Sequence, residues 1–281
     1  MYIILPVHNR SHITQRFLDA LKKQSYSNYT LILIDDGSTD DTVVAARKVF
    51  PDLQLLQGDG SLWWGGALQK GYEYLIKLGG NDDEFVLIAN DDTEFEEFFL
   101  ENALRVLENK KDTMLLATCF SRISGQLLDA GIHIDWKDFS IRQASDNADI
   151  NCLSTRCLFT RVGTMRKIGG FRPHLLPHYL SDYEFTIRAY RKGISLIVEP
   201  SVSVYLDDDA TGCHVFEGSG LRDYIRIAFS KRYSMNPVSW SIFVLLVCPL
   251  RFKLTNICRI WWNFLKIGLR AFFYDKYGTK G

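Results

Sequence analysis

Apolar and polar positions follow two rhythms over the first hundred residues. Short apolar runs at Tyr2 to Val7, Tyr29 to Ile34, Leu53 to Gln57 and Phe85 to Ala89 read as buried strands. Between them the apolar spacing is helical. Ile13, Phe17, Ala20 and Leu21 share one face of a helix capped by Ser11. Val44 and Val49 lie on a second helix, for which Ser38 and Asp41 have capping-box spacing. A third helix runs from Ala67 to Leu78 and stops at Gly79-Gly80, and Phe98, Ala103, Val106 and Leu107 mark a fourth. Alternating strands and helices predict an α/β fold with a parallel, doubly wound sheet and right-handed crossovers.

The second half is less regular. Met114 to Cys119 and Cys152 to Thr160 read as strands, and Leu127 to Trp136 and Ile141 to Ala144 as β segments that pair as a hairpin. Arg161 to Ile168 reads as a short helix ending at Gly169-Gly170. Ser181 to Gly193 is a longer helix with Asp182 at its start and Glu184 and Arg188 as an i,i+4 pair of structural character. The strand Ile194 to Leu206 runs into the polar turn Asp207-Asp208-Asp209 and on to His214.

Candidate chemistry gathers where strands end. Asn90-Asp91-Asp92 leaves the C-terminal end of the fourth strand, where parallel sheets place ligands. Two adjacent carboxylates there suit a hard divalent cation, which suits a diphosphate. The competing reading makes Asp92 or Thr93 a cap for the next helix.

Composition is that of a folded globular chain, with 281 residues, 47% hydrophobic and 23% charged. A formal net charge of zero hides an asymmetry: residues 1–221 carry 22 Lys and Arg against 31 Asp and Glu, and residues 222–281 carry 11 against 2. The basic, aromatic-rich tail predicts an acidic surface as its partner, and nucleic acid is not expected. Six cysteines without CxxC or zinc-like spacing read as reduced residues of a cytosolic protein, and no signal peptide is expected because the first strand begins at Tyr2.

Trp240 to Val247 is apolar but shorter than the roughly 20 residues a membrane span needs. Leu254 to Tyr274 is longer and carries Arg259, Lys266 and Arg270. At about 100° per residue these three fall within about 40° of one another, beside Thr255 and Asn263. Trp261, Phe264, Leu265 and Phe272 fill the other side. The pattern predicts an interfacial helix that docks residues 237–274 on a membrane surface. The alternative is a helix packed on the protein's own core with a solvated basic edge.

Pro6-Val7-His8-Asn9, Asp35-Asp36-Gly37-Ser38-Thr39-Asp40, Asn90-Asp91-Asp92 and Ser181-Asp182-Tyr183-Glu184-Phe185 stand in an order and at spacings that resemble the inverting glycosyltransferases of family 2, over roughly residues 1–235. The resemblance implies the GT-A fold, a Rossmann-like, mostly parallel sheet flanked by helices, here with a C-terminal amphipathic helical tail. It divides the chain into a nucleotide-sugar-binding half (1–118), an acceptor-binding half with the catalytic base (119–235) and the tail (236–281). It implies that Pro6, Val7, His8 and Asn9 line the donor pocket, although the family more often has Tyr where His8 stands. Asp36 would accept a hydrogen bond from the ring N–H of uracil or thymine. Asp92, supported by Asp91, would hold Mn²⁺ or Mg²⁺ on the diphosphate, and Asp182 would be the general base. The turn holding Gly65 and Gly66 would touch the donor. The family often adds a metal-ligating His after the strand that follows the base helix; this chain departs from that, leaving Asp207, Asp208, Asp209 and His214 open for the role. The Leu62-Trp63-Trp64-Gly65-Gly66 stretch resembles rhamnosyltransferase members, which implies a dTDP-sugar; a UDP-sugar is the other donor weighed.

The expectation is a cytoplasmic enzyme, peripheral on the inner face of the cell membrane. It would move a single sugar from a UDP- or dTDP-sugar to a glycan or lipid-linked glycan in cell-surface polysaccharide synthesis. A sugar nucleotidyltransferase would carry a Gly- and Arg-rich loop after the first strand, and Pro6-Val7-His8-Asn9-Arg10 is not one. No GxGxxG follows an early strand, which argues against a dinucleotide oxidoreductase. A catalytically silent sugar-nucleotide or glycan binding module would not need both Asp92 and Asp182.

Overall fold

The computed structural model describes residues 1–206 and 220–277, with side chains described through Phe272. In the first half, β1 (Tyr2–Val7), α1 (Ser11–Lys22), β2 (Thr30–Asp35), α2 (Thr42–Val49), β3 (Gln54–Gln57), α3 (Trp63–Lys77) and β4 (Phe85–Ile88) follow the predicted alternation. β1 pairs in parallel with β2 and β4, and β2 with β3, in the order β3-β2-β1-β4. The strand order reverses at β1, so the turns after β1, β2 and β4 open on one crevice. The period of two divides the apolar residues between two cores: Ile3, Leu5 and Leu33 pack with Phe17 and Leu21 of α1, whereas Ile4, Ile32 and Ile34 pack with Leu68 and Leu75 of α3.

The second half extends the same sheet. It contains β5 (Thr93–Glu94), α4 (Phe99–Leu107), β6 (Thr113–Ser121), β7 (Leu127–Asp129), β8 (Ile132–Asp135), β9 (Ser140–Gln143), β10 (Leu158–Arg161), α5 (Val162–Ile168), α6 (Ser181–Arg191) and β11 (Ser195–Leu206). The sheet continues β4-β10-β6-β11-β5, with β10 antiparallel to both of its neighbours and β6 parallel to β11. The α/β class and the mostly parallel, helix-flanked sheet are as expected.

Several elements differ from the expectation. Leu127 to Trp136 is not one strand: Gly131, at φ +87°, separates β7, which pairs with β6, from β8, which forms a hairpin with β9. Of Cys152 to Thr160, only Leu158 onward is strand, because Cys157 takes φ +55° and breaks the extended run. Thr93 caps no helix; it joins β5 to β11, and α4 starts at Phe99. Ser38 and Asp41 form no capping box: Ser38 Oγ accepts the Asn9 N–H instead, and Asp40 takes the Thr42 and Ser11 N–H groups. Glu184 is buried and held bidentate by Arg188 at 3.0 and 2.9 Å, the structural pair expected.

α7 (Leu221–Ala228), α8 (Pro237–Val247) and α9 (Leu250–Tyr277) close the chain. Asn236 caps α8 by accepting the Val238 and Ser239 N–H groups, with Pro237 in the first turn. Phe243 and Val247 of α8 are buried with Leu180 and Ile187, so α8 belongs to the protein's own core. Among the described residues, no helix is long and apolar enough to cross a membrane.

Helix α3 starts at Trp63, four residues before the predicted Ala67. The cause lies at the end of β2. Asp36 Oδ1 accepts the Gly60 and Leu62 N–H groups at 2.9 and 3.2 Å, and Oδ2 accepts the Trp63 N–H at 2.9 Å. A carboxylate from another strand thus satisfies donors at the helix start that have no intrahelical partner. Gly58 permits the approach, since a Cβ there would stand 2.5 Å from Asp36 Oδ1. Asp36→Ala removes three hydrogen bonds from backbone donors to a carboxylate and lowers stability by about 1–3 kcal/mol. Urea unfolding measures the loss, and amide exchange at Gly60, Leu62 and Trp63 speeds up while exchange in β1 changes least.

Candidate active site

The crevice at the strand reversal is a pocket of about 520 Å³. Its walls come from the ends of β1, β2 and β4, the start of α3, the segment before β10 and the start of α6. Among the predicted residues, Pro6, Val7, His8, Asp36, Asp91, Asp92 and Asp182 line it together. Their convergence follows from the parallel sheet, which brings the C-terminal ends of β1, β2 and β4 to one edge.

His8 sits at the rim. Its Nδ1–H donates to the Asp36 carbonyl at 2.6 Å, since that oxygen only accepts, and its Nε2 accepts from Asn9 Nδ2 at 3.2 Å. The ring is thereby fixed across the ends of β1 and β2. Asn9, expected to line the donor pocket, is not among the residues that do. Its Oδ1 accepts the Thr39 N–H at 2.7 Å and its own N–H donates to Ser38 Oγ, so it braces the turn after β2.

Asp91 and Asp92, 4% and 6% exposed, have separate environments. Asp91 accepts from Arg10 Nη1 and from Thr14 Oγ1, each at 2.7 Å. Burial pushes its carboxyl above the ordinary range, against the pull of Arg10 and Thr14. Asp92 Oδ2 stands 3.7 Å from Arg10 Nη1, while its Oδ1 is buried without a hydrogen-bond partner. Asn90 Oδ1 is also buried and unpartnered. Two unmet oxygen acceptors on one strand end fit a hard divalent cation. Among the described residues, no three His, Cys, Asp or Glu side chains cluster as a complete ligand set. His214 and Asp207, Asp208 and Asp209, left open for the further ligand, lie outside the described residues.

Asp182 lines the same pocket from the first turn of α6. Leu180, at φ +68°, turns the chain into that helix and makes no side-chain cap. Ser181 does not cap either; its Oγ donates to the His178 carbonyl. Asp182 Oδ1 accepts the Tyr183 N–H at 2.9 Å. Desolvation nonetheless raises its pKa to about 6, the Tyr183 N–H opposing, with the charge of Asp129 raising it further and Arg156 pulling it down.

Gly65 and Gly66, expected to touch the donor, are not among the residues that line the pocket. Gly65 is buried in α3, donates its N–H to the Pro177 carbonyl at 2.8 Å, and would bring a Cβ within 2.6 Å of the Leu176 carbonyl. Its role is to let α3 touch the segment that carries His178, Leu180 and Asp182. Trp63 and Trp64 do reach the pocket. Trp63, at φ +56°, lies 5.4 Å from the His178 ring and under the cations of Lys231 and Arg232. Trp64 Nε1 donates to Thr155 Oγ1. Arg10, Arg156, His178 and Arg232 also line the site without having been singled out. Arg10 follows directly on the first motif, a signal that was present; nothing local marks the other three.

A family model for glycosyl transferase family 2 matches residues 2–169. The N-acetylglucosaminyl-diphospho-decaprenol L-rhamnosyltransferase of Mycobacterium tuberculosis is 24% identical over 218 residues, covering 68% of this chain and 70% of the relative. Among solved structures, S. aureus TarS 1–349 in complex with UDP-GlcNAc superposes with a TM-score of 0.59 at 19% identity, over 94% of this chain and 71% of that one. The mannosyltransferase PcManGT from Pyrobaculum calidifontis, in complex with GDP-Man and Mn²⁺, has a TM-score of 0.54 at 15% identity, over 99% and 87%. With its curled, mostly parallel sheet, its strand-end carboxylates and a family match over more than half its length, the chain belongs to glycosyltransferase family 2.

Proposed function

We propose that the enzyme is an inverting transferase that moves one sugar, a rhamnosyl group, from a dTDP- or UDP-sugar to a hydroxyl of a lipid-linked glycan. The observation that carries this reading is the pairing, in one pocket, of Asp92, whose Oδ1 has no partner, with Asp182, whose pKa is raised to about 6. The relative from Mycobacterium tuberculosis supports the sugar and the diphospho-lipid acceptor through its name. The TarS complexes with UDP and UDP-GlcNAc support a nucleotide-sugar donor.

In this reading the nucleoside lies along Pro6, Val7 and His8, with the base toward Asp36. Asp36 is already bonded to three backbone donors, so it meets the base through remaining lone pairs and through the loop it holds. Asp92 would hold Mn²⁺ or Mg²⁺, with Asn90 Oδ1 beside it; when bound, the ion neutralises charge on the leaving diphosphate. Asp182 takes the proton of the acceptor hydroxyl as that oxygen bonds to the anomeric carbon. The bond from that carbon to the diphosphate oxygen breaks on the opposite face, and its electron pair leaves with the nucleoside diphosphate. A desolvated carboxylate is a stronger base than one in water, and with a pKa of about 6 it is still mostly ionised at neutral pH.

The tail supports an acceptor presented at a membrane. At about 100° per residue, Leu250, Leu254, Trp261, Leu265 and Phe272 fall within about 60° on α9. All are exposed, Leu254 by 76%, and Trp262 and Leu269 widen the stripe. The arrangement differs from the periodicity reading in two positions. Phe264 turns inward onto Tyr224, ring centroids 5.4 Å apart, and Arg259 Nη1 donates to Lys137 O and Asn256 Oδ1. Lys266 and Arg270 are exposed and flank the apolar stripe. An exposed apolar stripe edged by cations fits an anionic lipid surface. The site of action in this reading is the cytoplasmic face of the membrane.

Asp182→Asn abolishes transfer while the affinity for UDP or dTDP, read by calorimetry, stays within a few fold. The wild-type rate falls about tenfold per pH unit below about pH 6 and levels off above it. Folding raises the Asp182 pKa from its ordinary value, so ionisation weakens the fold as pH climbs through about 6. The Asn variant therefore melts no lower than wild type at neutral pH, which separates lost chemistry from lost structure.

Chelation of divalent metal weakens nucleoside diphosphate binding by about tenfold or more, and Asp92→Asn removes that dependence. Undiminished binding in EDTA would count against the Asp92 role.

In flotation assays the full-length chain rises with vesicles containing anionic phosphatidylglycerol. Replacing Leu254, Leu265 and Leu269 with Ser reduces binding about tenfold or more. Deletion of the whole tail is the poorer test, because it strips Phe243 and Val247 from the core.

A further inference from the structure

Arg156 is placed by the strand that follows it. β10 pairs antiparallel with β4 and β6, with Leu158 opposite Ile88 on one side and Leu116 on the other. Arg156 lies two residues before that paired stretch, in the turn that leads into β10, and lines the pocket with Asp92 at the sheet edge. Its side chain lines the same pocket as Asp92 and Asp182.

The guanidinium is poorly satisfied there. Its Nε is buried without a hydrogen-bond partner. Among the described residues, its hydrogen bonding is a single Nη1 contact, at 3.9 Å, to Cys119 Sγ, a weak acceptor. No described carboxylate comes within ion-pair distance. Asp129, the nearest in character, is engaged with Ser154 Oγ at 2.7 Å and the Gly131 N–H at 3.1 Å. Asp91 belongs to Arg10, and Asp182 Oδ1 to the Tyr183 N–H. Burial opposes the charge on Arg156, while Cys119, Asp129 and Asp92 around it hold it protonated. A half-buried fixed cation with five donors, its Nε buried and one weak acceptor in reach, is arranged for an anion that arrives with a substrate.

The neighbours identify the anion. The unmet oxygens of Asp92 and Asn90 on the facing strand end mark the place where a cation and its diphosphate would sit, and a guanidinium fork matches two phosphate oxygens. We propose that Arg156 is an anion-binding residue of the transfer site and takes a phosphate oxygen of a substrate, from either the donor diphosphate or the diphosphate of a lipid-linked acceptor. The inference rests on the transferase reading for the identity of the substrates.

Binding measurements on the full chain test it without requiring turnover. Arg156→Met removes the charge, and Arg156→Lys keeps the charge without the fork. The probes are UDP and dTDP with Mn²⁺, the matching nucleosides, a short-chain prenyl-diphospho-N-acetylglucosamine and the alkyl glycoside of the same sugar without phosphate. The expected result is a loss of about tenfold or more for a diphosphate probe with Arg156→Met, a smaller loss with Arg156→Lys, and no change for its phosphate-free counterpart. A loss confined to UDP or dTDP assigns the donor; one confined to the prenyl diphosphate assigns the acceptor. Unchanged binding of every probe overturns the proposal. Equal losses for nucleosides and diphosphates also overturn it, because they mark general damage. Failure of the wild-type chain to transfer sugar would strike the function reading and leave these comparisons intact.

Discussion

The geometry of the site depends on one reversed strand. A parallel sheet offers only C-terminal strand ends to its ligand edge, and β1, β2 and β4 do that here. β10 runs the other way between β4 and β6, so its N-terminal approach reaches the same edge. That single antiparallel insertion lets Thr155 and Arg156 face residues from the first half of the chain. Its register is well determined, because Leu158 packs in the core on one face of the sheet and Phe159 in the core on the other. A slip of one residue would exchange them.

With the elements held, the carboxylates at the crevice divide by how fully each is satisfied. Asp36 receives three backbone N–H groups, and it holds the loop that starts α3. Asp91 is locked to Arg10 and Thr14, which ties α1 to the end of β4. Asp92 keeps one oxygen without a partner, and Asp182 is desolvated with one backbone donor. The first two are structural anchors that also form pocket walls. The last two retain the unmet polarity that a ligand or a proton can satisfy. Buried polar groups in folded proteins are nearly always paired, so the exceptions at one pocket carry functional weight.

Local rules were enough for the order of strands and helices in the first half of the fold, where each has its own period. They failed where the deciding partner is distant in sequence. The start of α3 depends on Asp36, 27 residues before Trp63, and no pattern near Trp63 announces it. The supposed capping box of Ser38 and Asp41 lost to Asn9, which offered Ser38 another partner across the β1 and β2 ends. For the site, motif order singled out acidic residues and His8 that the structure brings together in one pocket. Gly65 and Gly66 stand outside the pocket lining, and a glycine needed for backbone contact, as Gly65 is with Leu176 and Pro177, looks the same in sequence as one needed for a ligand. Arg156, His178 and Arg232 carried no local signal because their positions come from strand pairing and helix packing.

The tail shows the same dependence on tertiary context. Its two main helices differ in kind: α8 is apolar all round and packs into the body, whereas α9 contacts the body through Asn256, Phe264 and Ala271 and leaves an apolar stripe exposed. Charge alone would have put Arg259 on the outer face, yet it lies against the Lys137 carbonyl. The segment joining α7 to α8 is also part of the site, since Arg232 lines the pocket and stands 5.8 Å over the Trp63 ring. The surface proposed to meet lipid and the wall of the proposed transfer site are therefore joined through a short stretch of chain anchored by α8. For an acceptor held in a bilayer, a link packed against the body in this way would limit the range of distances between the lipid surface and Asp182. A flexible tether would add membrane affinity but would leave the acceptor hydroxyl to find the base by diffusion.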